Sequence, residues 1–233
     1  MATNLTDWSS DILAHAKRAT KPSIVNAVRA AAIAFCEKTW LWTATLTAIS
    51  VLADNQDYAL ADPTDTEIIA VDNVKYKENG AANDQFRRLD PISETQMDLN
   101  DSGSWPYRES PSPTNFWVDV VEKKLHLYPI PTVASANGLL VKVVVRPSDT
   151  CSAVSDFLYQ EHSGTITNGA LADLFSQEVM DWSDLKDPTG FMHLLNKANL
   201  YDKWFKAGCN EAKFKKITGA TKRPLSVRLQ SFC

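Results

Sequence analysis

The spacing of apolar residues changes twice along this chain, and that change limits what the chain can fold into. Between about 21 and 39 the apolar residues recur at helical spacing, as in Ile24, Val28, Ala31 and Phe35. From Trp42 to Ala48 they alternate with threonine, a pattern typical of a half-buried strand. After Pro147 the helical period returns. The order is therefore helices, strands and helices again.

Two segments have strong helix signals. Thr20 or Lys21 is the expected N-cap of a helix that runs to about Thr39, with Pro22 near its first position. A second, long helix is predicted from Pro188, capped by Asp187. Its residues form two rows at heptad spacing: Phe191, Ala198, Phe205 and Ala212, and beside them Leu194, Tyr201 and Gly208. These rows predict a seam that packs on a neighbouring helix.

The middle of the chain is predicted to be rich in strands. Short strands are expected at 58–60 and 67–74, and a hairpin at 116–128 across Glu122-Lys123-Lys124. The pair Asn137-Gly138 is a turn signal before a further strand at 139–145. We therefore expect an α+β protein. It would have a helical bundle built from 1–41 and 148–214, a β-rich insertion at 42–147 and an extended basic C-terminal arm at 215–233.

The charge is unevenly distributed. The whole chain has a net charge of −4, yet the 22 residues from Ala212 onward contain six basic and no acidic side chains. Leu225, Val227 and Leu229 alternate with polar residues, which favours an arm that binds a partner by strand addition. The alternative is a basic, frayed terminus. The predicted partner-binding residues are Lys215, Lys216, Lys222, Arg223, Leu225, Val227, Arg228, Leu229 and Phe232.

Catalytic chemistry is not evident in the sequence. The four cysteines include no CxxC pair, and the four histidines lack metal-ligand spacing. No phosphate-binding loop, dinucleotide fingerprint or nucleophile elbow occurs. The longest apolar-rich stretch, from Ala27 to Phe35, is too short to span a bilayer. We therefore expect no catalytic residue, no cofactor, no metal and no membrane partner. The scattered cysteines favour a reducing compartment.

Two groups of residues are candidates for other roles. Asp54, Asp57, Asp62, Asp65, Glu67 and Asp72 form a dense acidic run, which is more typical of a solvated face than of a metal site. Trp105 and Tyr107 lie in a polar loop and are candidate anchors for a partner, because such aromatic residues dominate binding hot spots. The alternative for these aromatic residues is burial in the core.

Several motifs resemble one family. The segment 31–42 reads AAxxFCxxTxxW, 56–63 reads QxYxLxxP, and 125–131 reads LxLxPxP. Arg146-Pro147-Ser148 and the stretch from Gly169 to Leu174, followed by Trp182-Ser183-Asp184, follow in order. Together these motifs resemble the head-to-tail adaptor proteins of tailed bacteriophages, of the tail tubular protein A or head-completion type. Residues 75–112 and the C-terminal tail have no counterpart in that resemblance, and residues 207–213 depart from it.

The resemblance implies a structural virion protein rather than an enzyme. It implies a ring of identical subunits, twelve-fold in related proteins, between the portal protein and a tail or nozzle protein. DNA would pass non-specifically through the lumen during ejection. The protein would be at the head–tail junction of the virion, and in the host cytoplasm during assembly. The acidic run would then line the channel, because like charge keeps DNA from binding the wall. The alternative function is a soluble ligand- or carbohydrate-binding module with exposed aromatic residues.

Overall fold

The computed structural model describes residues 2–79, 85–101, 107–181 and 188–220. Contacts between Cα atoms divide the chain into two compact units. The first consists of Met1–Leu41 together with Pro147–Cys233, and the second of Trp42–Arg146. We call them the terminal unit and the central unit.

The elements follow in chain order. The helices are α1 (Ser9–His15), α2 (Lys21–Thr39), α3 (Glu94–Asp101), α4 (Asp156–Asp181) and α5 (Pro188–Ala220), and Leu5–Trp8 form a 3-10 turn. The strands are β1 (Ala2–Asn4), β2 (Thr43–Thr45), β3 (Ile49–Val51), β4 (Asp57–Ala59), β5 (Thr66–Tyr76), β6 (Arg87–Arg88), β7 (Asp90–Pro91), β8 (Glu109–Ser110), β9 (Asn115–Asp119), β10 (Lys124–Tyr128), β11 (Ile130–Pro131), β12 (Ser135–Pro147) and β13 (Ala153–Ser155).

In the terminal unit, α4 packs against both α2 and α5. The N-terminus of α2 is as predicted, because the Thr20 side chain accepts a hydrogen bond from Ser23 N at 3.4 Å and a proline stands in the first turn. The predicted seam of α5 is confirmed, since Ala198, Phe205 and Ala212 are all buried. Heptad spacing indicated this seam because it keeps one face of a long helix against its neighbour.

In the central unit, two sheets share one core. One has the strand order β2-β12-β5-β6, with β3 also on β12, and the other has the order β4-β10-β9-β7. Alternate residues of β12, namely Leu139, Val141, Val143 and Val145, are fully buried. They belong to the same apolar cluster as Leu125 and Leu127 of β10. The predicted hairpin corresponds to β9 and β10, which pair antiparallel from Asn115 to Asp119.

The chain is α+β, but the predicted architecture, a helical bundle with an inserted β-rich subdomain and an extended arm, was wrong. Strands are spread more widely than an insertion allows. β1 pairs antiparallel with β13 inside the terminal unit, from Ala2↔Ser155 to Asn4↔Ala153. The polar sequence of β1 has no apolar alternation, so its pairing with a segment about 150 residues away has no local signal.

The predicted arm also begins too early. α5 continues through residues 215–220, where an extended segment was expected. Lys215 forms an i,i+4 ion pair with Glu211 at 2.7 Å, and Thr218 Oγ1 donates to Phe214 O at 3.0 Å. A glycine costs a helix only about 1 kcal/mol, so Gly219 does not end α5 before its last turn. Residues 221–233 lie outside the described residues.

Asn137-Gly138 does not form the predicted turn. Both residues lie within β12, where the pairing with β3 shifts in register between Ser135 and Leu139. Asn137 has a φ of 51°. An Asn-Gly pair tolerates left-handed backbone in a bulge as readily as in a hairpin turn, and tertiary pairing selects between the two.

Candidate interaction surfaces

The acidic run lies in the central unit, and four of its six carboxylates contact a basic side chain. Asp57 Oδ1 lies 2.8 Å from His126 Nδ1, Asp72 lies 3.4 Å from Lys142 Nζ, and Asp62 pairs with Lys123. Glu67 Oε2 accepts two hydrogen bonds from Arg146, from Nε at 3.1 Å and from Nη2 at 2.7 Å. Four of the six carboxylates therefore have a cationic or imidazole partner across a strand or loop.

The two other carboxylates of the run lie in tight loops. Asp54 and Asp65 both have left-handed backbone, with φ of 59° and 57°, and both are exposed. Among the described residues, no cation lies within ion-pair distance of either. Aspartate favours such positions because its short polar side chain tolerates left-handed backbone. The free negative charge of the run is thus concentrated at two loop positions.

The Asp62 carboxylate is held ionised by its contacts. Partial burial raises its pKa, but hydrogen bonds from Lys123 and from Ile68 N, the latter at 2.9 Å, outweigh that effect and lower the pKa below its ordinary value. Because the same carboxylate ties the start of β5 to Lys123 in the β9–β10 turn, Asp62 has a structural role within the central unit.

His126 of β10 is largely shielded from solvent by its neighbours. Only 14% of its side chain is exposed. Its ring stacks on Trp117 with centroids 4.4 Å apart and planes 8° from parallel. Together with Asp57 the two rings form a row across three neighbouring strands, β4, β10 and β9. Cross-strand neighbours of this kind depend on register, which the sequence of one strand does not reveal.

The predicted partner-binding residues of the tail fall into two groups. Lys215 and Lys216 lie on α5, and Lys216 Nζ donates to the backbone oxygen of Trp40. Trp40 is the left-handed C-cap of α2, so Lys216 supplies a donor at the end of that helix, where backbone acceptors lack intrahelical partners. The others, namely Lys222, Arg223, Leu225, Val227, Arg228, Leu229 and Phe232, lie outside the described residues, as does the candidate anchor Trp105. Tyr107, the other candidate anchor, is 84% exposed.

The outer face of α5 was missed by the sequence analysis. Five large apolar side chains on this helix are exposed by 43% to 64%, and we call them the α5 outer face: Met192, Leu200, Trp204, Phe214 and Ile217. At 100° per residue they fall on the side opposite the buried seam. Apolar residues on both sides of a helix were visible in the sequence, but the heptad rows accounted for only one side. Exposed apolar stripes of this length indicate a binding surface.

Neither a metal site nor a membrane-spanning helix is present in the part of the chain that the structure describes. No three His, Cys, Asp or Glu side chains in these ranges are grouped so that they could hold a metal ion. No helix within them has the length and apolar character that crossing a bilayer requires.

One family model matches most of the chain. The family model described as SU10 adaptor protein matches residues 2–202, which is most of the chain. No curated protein matches significantly. The family consists of phage adaptor proteins, which are structural components of the virion, contact other head or tail proteins and oligomerise. Since the match covers both compact units, this chain belongs to the SU10 adaptor protein family.

Proposed function

We propose that this protein forms a ring of identical subunits at the head–tail junction of a phage. The ring connects the portal protein to a tail or nozzle protein, and DNA passes through its lumen without sequence-specific contact. The family match supports an adaptor role.

The exposed apolar side chains of the α5 outer face are the main support for the proposed ring. α5 has 33 residues, a length of about 50 Å at 1.5 Å per residue. Its inner side is buried against α4 and α2, yet Trp204 and Phe214 are 46% and 64% exposed on the outer side. Burying this face between copies would remove apolar area from water along most of the helix. Large aromatic side chains are frequent anchors of such interfaces.

The charge distribution supports passage of DNA. The central unit contains fifteen acidic and nine basic side chains, so it is net negative. A negative wall does not displace the counterions of DNA and therefore does not bind it. Because four carboxylates of the acidic run are paired, we assign the repulsion chiefly to exposed acids such as Asp54 and Asp65. The tail residues from Lys222 to Phe232 are proposed to contact partner subunits.

The experiment is to measure the mass of the purified protein by light scattering and to image it by negative stain. A ring of many copies is expected, and Trp204→Glu should shift it toward monomer because it places a charge in an apolar contact. Leu52→Glu is the matched control, since Leu52 is 59% exposed in the central unit and is not part of the α5 outer face. A compact monomer at high concentration, both alone and with purified portal protein, would contradict the proposal.

A further inference from the structure

Two strand edges of the central unit face one cavity. β5 pairs with β6 only at Lys75 and Tyr76, and β9 pairs with β7 only at Asn115 and Phe116. Beyond these short pairings both strands continue along a cavity of about 250 Å³. We call it the β5–β9 slot. Ala70, Val71 and Asp72 of β5 line it, together with Phe116 and Val118 of β9.

Backbone hydrogen bonds show which groups point toward the slot. Val74 O accepts from Leu89 N, and Phe116 O accepts from Ile92 N, both at 2.9 Å. Backbone groups of alternate residues point to the same side of a strand. Ala70, Asp72 and Val118 therefore direct their N–H and C=O groups to the slot side, where no described strand pairs with them. Such an edge is a template for an added strand.

The side chains of the slot fit an extended apolar segment. Ala70, Val71 and Val118 offer apolar surface. A buried hydrogen-bond acceptor, without a donor in the described part of the chain, also lines the slot. Asn73 also lines the slot, and its Oδ1 atom is buried without a hydrogen-bond partner among the described residues. A buried acceptor normally has a donor in the functional state, which an incoming backbone N–H would supply.

The C-terminal segment of this chain has the matching pattern. Thirteen residues follow α5, an extended reach of about 45 Å. In residues 224–229, Leu225, Val227 and Leu229 alternate with polar residues, so an extended segment would present all three on one side. Residues 221–233 contain three basic and no acidic side chains, whereas the central unit is net negative. Attraction by charge and the apolar alternation both favour this occupant.

We propose that the β5–β9 slot receives residues 224–229 of a neighbouring copy as an added β-strand. The inference rests on the proposed ring, because a tail that leaves α5 next to Phe214 and Ile217 starts at the proposed contact between copies. Each copy then both donates and accepts one strand, so weak individual contacts are multiplied around the ring.

Disulfide trapping in the full-length chain tests this placement. One tagged copy carries Ala70→Cys and a differently tagged copy carries Val227→Cys, both with Cys233→Ser. The native cysteines Cys36, Cys151 and Cys209 are buried, so we expect them not to form disulfides under mild oxidation. After co-assembly and mild oxidation we expect a mixed-tag disulfide-linked pair. A copy with Leu52→Cys in place of Ala70→Cys is the control and should give none, because Leu52 is exposed but does not line the slot.

Each result has a distinct meaning. Rings without a mixed-tag disulfide overturn the slot but leave the proposed function standing. A further sample, in which one copy carries both Ala70→Cys and Val227→Cys, tests the chain's own tail. If this copy forms the disulfide internally while the mixed-tag sample forms none, the chain's own tail docks, which overturns the neighbour as donor. Mixed-tag disulfides without rings support the slot and refute the ring. The absence of both rings and mixed-tag disulfides would refute the ring and the slot together.

A second set of variants checks the apolar side of the tail without altering the folded units. Leu225→Ser with Leu229→Ser, on either side of the Val227→Cys reporter, should lower the rate of mixed-tag disulfide formation by about tenfold or more, because two aliphatic side chains no longer bury apolar area. Ser226→Ala changes the other side of the added strand and should leave the rate unchanged. An equal loss in Ser226→Ala and in the double leucine variant would overturn the strand register.

Discussion

Gly208 of α5 packs tightly against the Thr165 side chain of α4. A Cβ atom at this position would collide with Thr165 Oγ1 and would come within 2.7 Å of Thr165 Cγ2. The same three-helix contact includes Gly169, where a Cβ would lie 2.8 Å from Phe205 Cδ2 and 3.0 Å from Ala31 Cβ. These glycines therefore set how closely α2, α4 and α5 approach, although glycine lowers the intrinsic helix propensity.

Alanine substitutions at Gly208 and Gly164 should change the free energy of unfolding in opposite directions. Gly208→Ala should lower the free energy of unfolding by about 1–3 kcal/mol through overpacking, as measured by chemical denaturation. Gly164→Ala should instead raise it by up to about 1 kcal/mol, because a Cβ there meets no atom within 4 Å and alanine is the better helix former. A gain in stability from Gly208→Ala would show that α5 can move away from α4 at no cost.

His162 is partly buried in the terminal unit, and its surroundings change how readily it binds a proton. Its ring packs on Phe35 with centroids 4.8 Å apart. Burial lowers the pKa of His162, an effect that outweighs the raising influence of Glu161, and Lys215 lowers it further. Since the folded state favours the neutral ring, the unfolded state binds a proton more readily.

The contribution of His162 to folding stability should decrease as the pH is lowered. Stability from His162 is fully present above the unfolded pKa of about 6.5 and is lost as the pH falls from there toward the lower folded pKa. Denaturant midpoints should therefore fall between pH 7.5 and 5.5 in the native protein. His162→Gln should flatten that part of the curve, and His193→Gln, at an exposed position on α5, should not. Parallel curves for native protein and His162→Gln would contradict the prediction.

At the scale of elements, the start of α2 is determined by local chemistry. Thr20 Oγ1 accepts a hydrogen bond from Ser23 N and lies 2.8 Å from Ser23 Oγ. The proline in the first turn has no backbone N–H and therefore needs no acceptor there. The other end depends on tertiary contacts, because the left-handed Trp40 C-cap is supported by Lys216 of α5. The sequence predicted both ends of α2, but the contact that caps its second end joins residues far apart in the chain.

The N-cap gives a direct test. Thr20→Ala should lower the free energy of unfolding by about 1 kcal/mol, because the backbone donor at Ser23 loses its acceptor. Thr20→Asn keeps a capping oxygen and should stay close to the native value. Chemical denaturation of both variants measures the difference. Equal destabilisation by both would mean that Thr20 acts through its methyl group rather than its hydroxyl.

At the scale of the whole molecule, the central unit has a complete core of its own. Every member of its apolar cluster, from Val51 to Val145, lies within Trp42–Arg146. The two ends of this stretch are joined by a backbone hydrogen bond from Val145 N to Trp42 O at 2.9 Å. A stretch whose two ends lie side by side can be excised without breaking its sheets.

We therefore expect residues 42–146 to fold as an isolated fragment. It should show cooperative thermal unfolding and dispersed amide resonances by NMR. A fragment ending at Ala136 is the control and should not fold, because it lacks most of β12, which lies between β2 and β5. An unfolded 42–146 fragment would show that the central unit needs the terminal unit for stability.

Local sequence determined much of this protein. Capping and proline placement predicted the start of α2, and heptad rows predicted the buried seam of α5. Runs of strand-favouring residues next to turn signals predicted the hairpin and a strand at 139–145, which lies within β12. The motifs also indicated the adaptor class that the family match supports. These features share one physical reason: each depends on residues a few positions apart, where propensity and periodicity act.

Only the tertiary structure decided the rest. The pairing of β1 with β13, the contact of Asp57 with His126 and the ion pair of Glu67 with Arg146 all join residues far apart in sequence. The stacking of His126 on Trp117 depends on the register of β9 against β10. The β5–β9 slot exists because two short pairings stop early, which depends on strand register rather than on the composition of either strand. The outer face of α5 became visible as a surface only once packing had shown which side of the helix is buried, because periodicity alone does not distinguish a core from an interface.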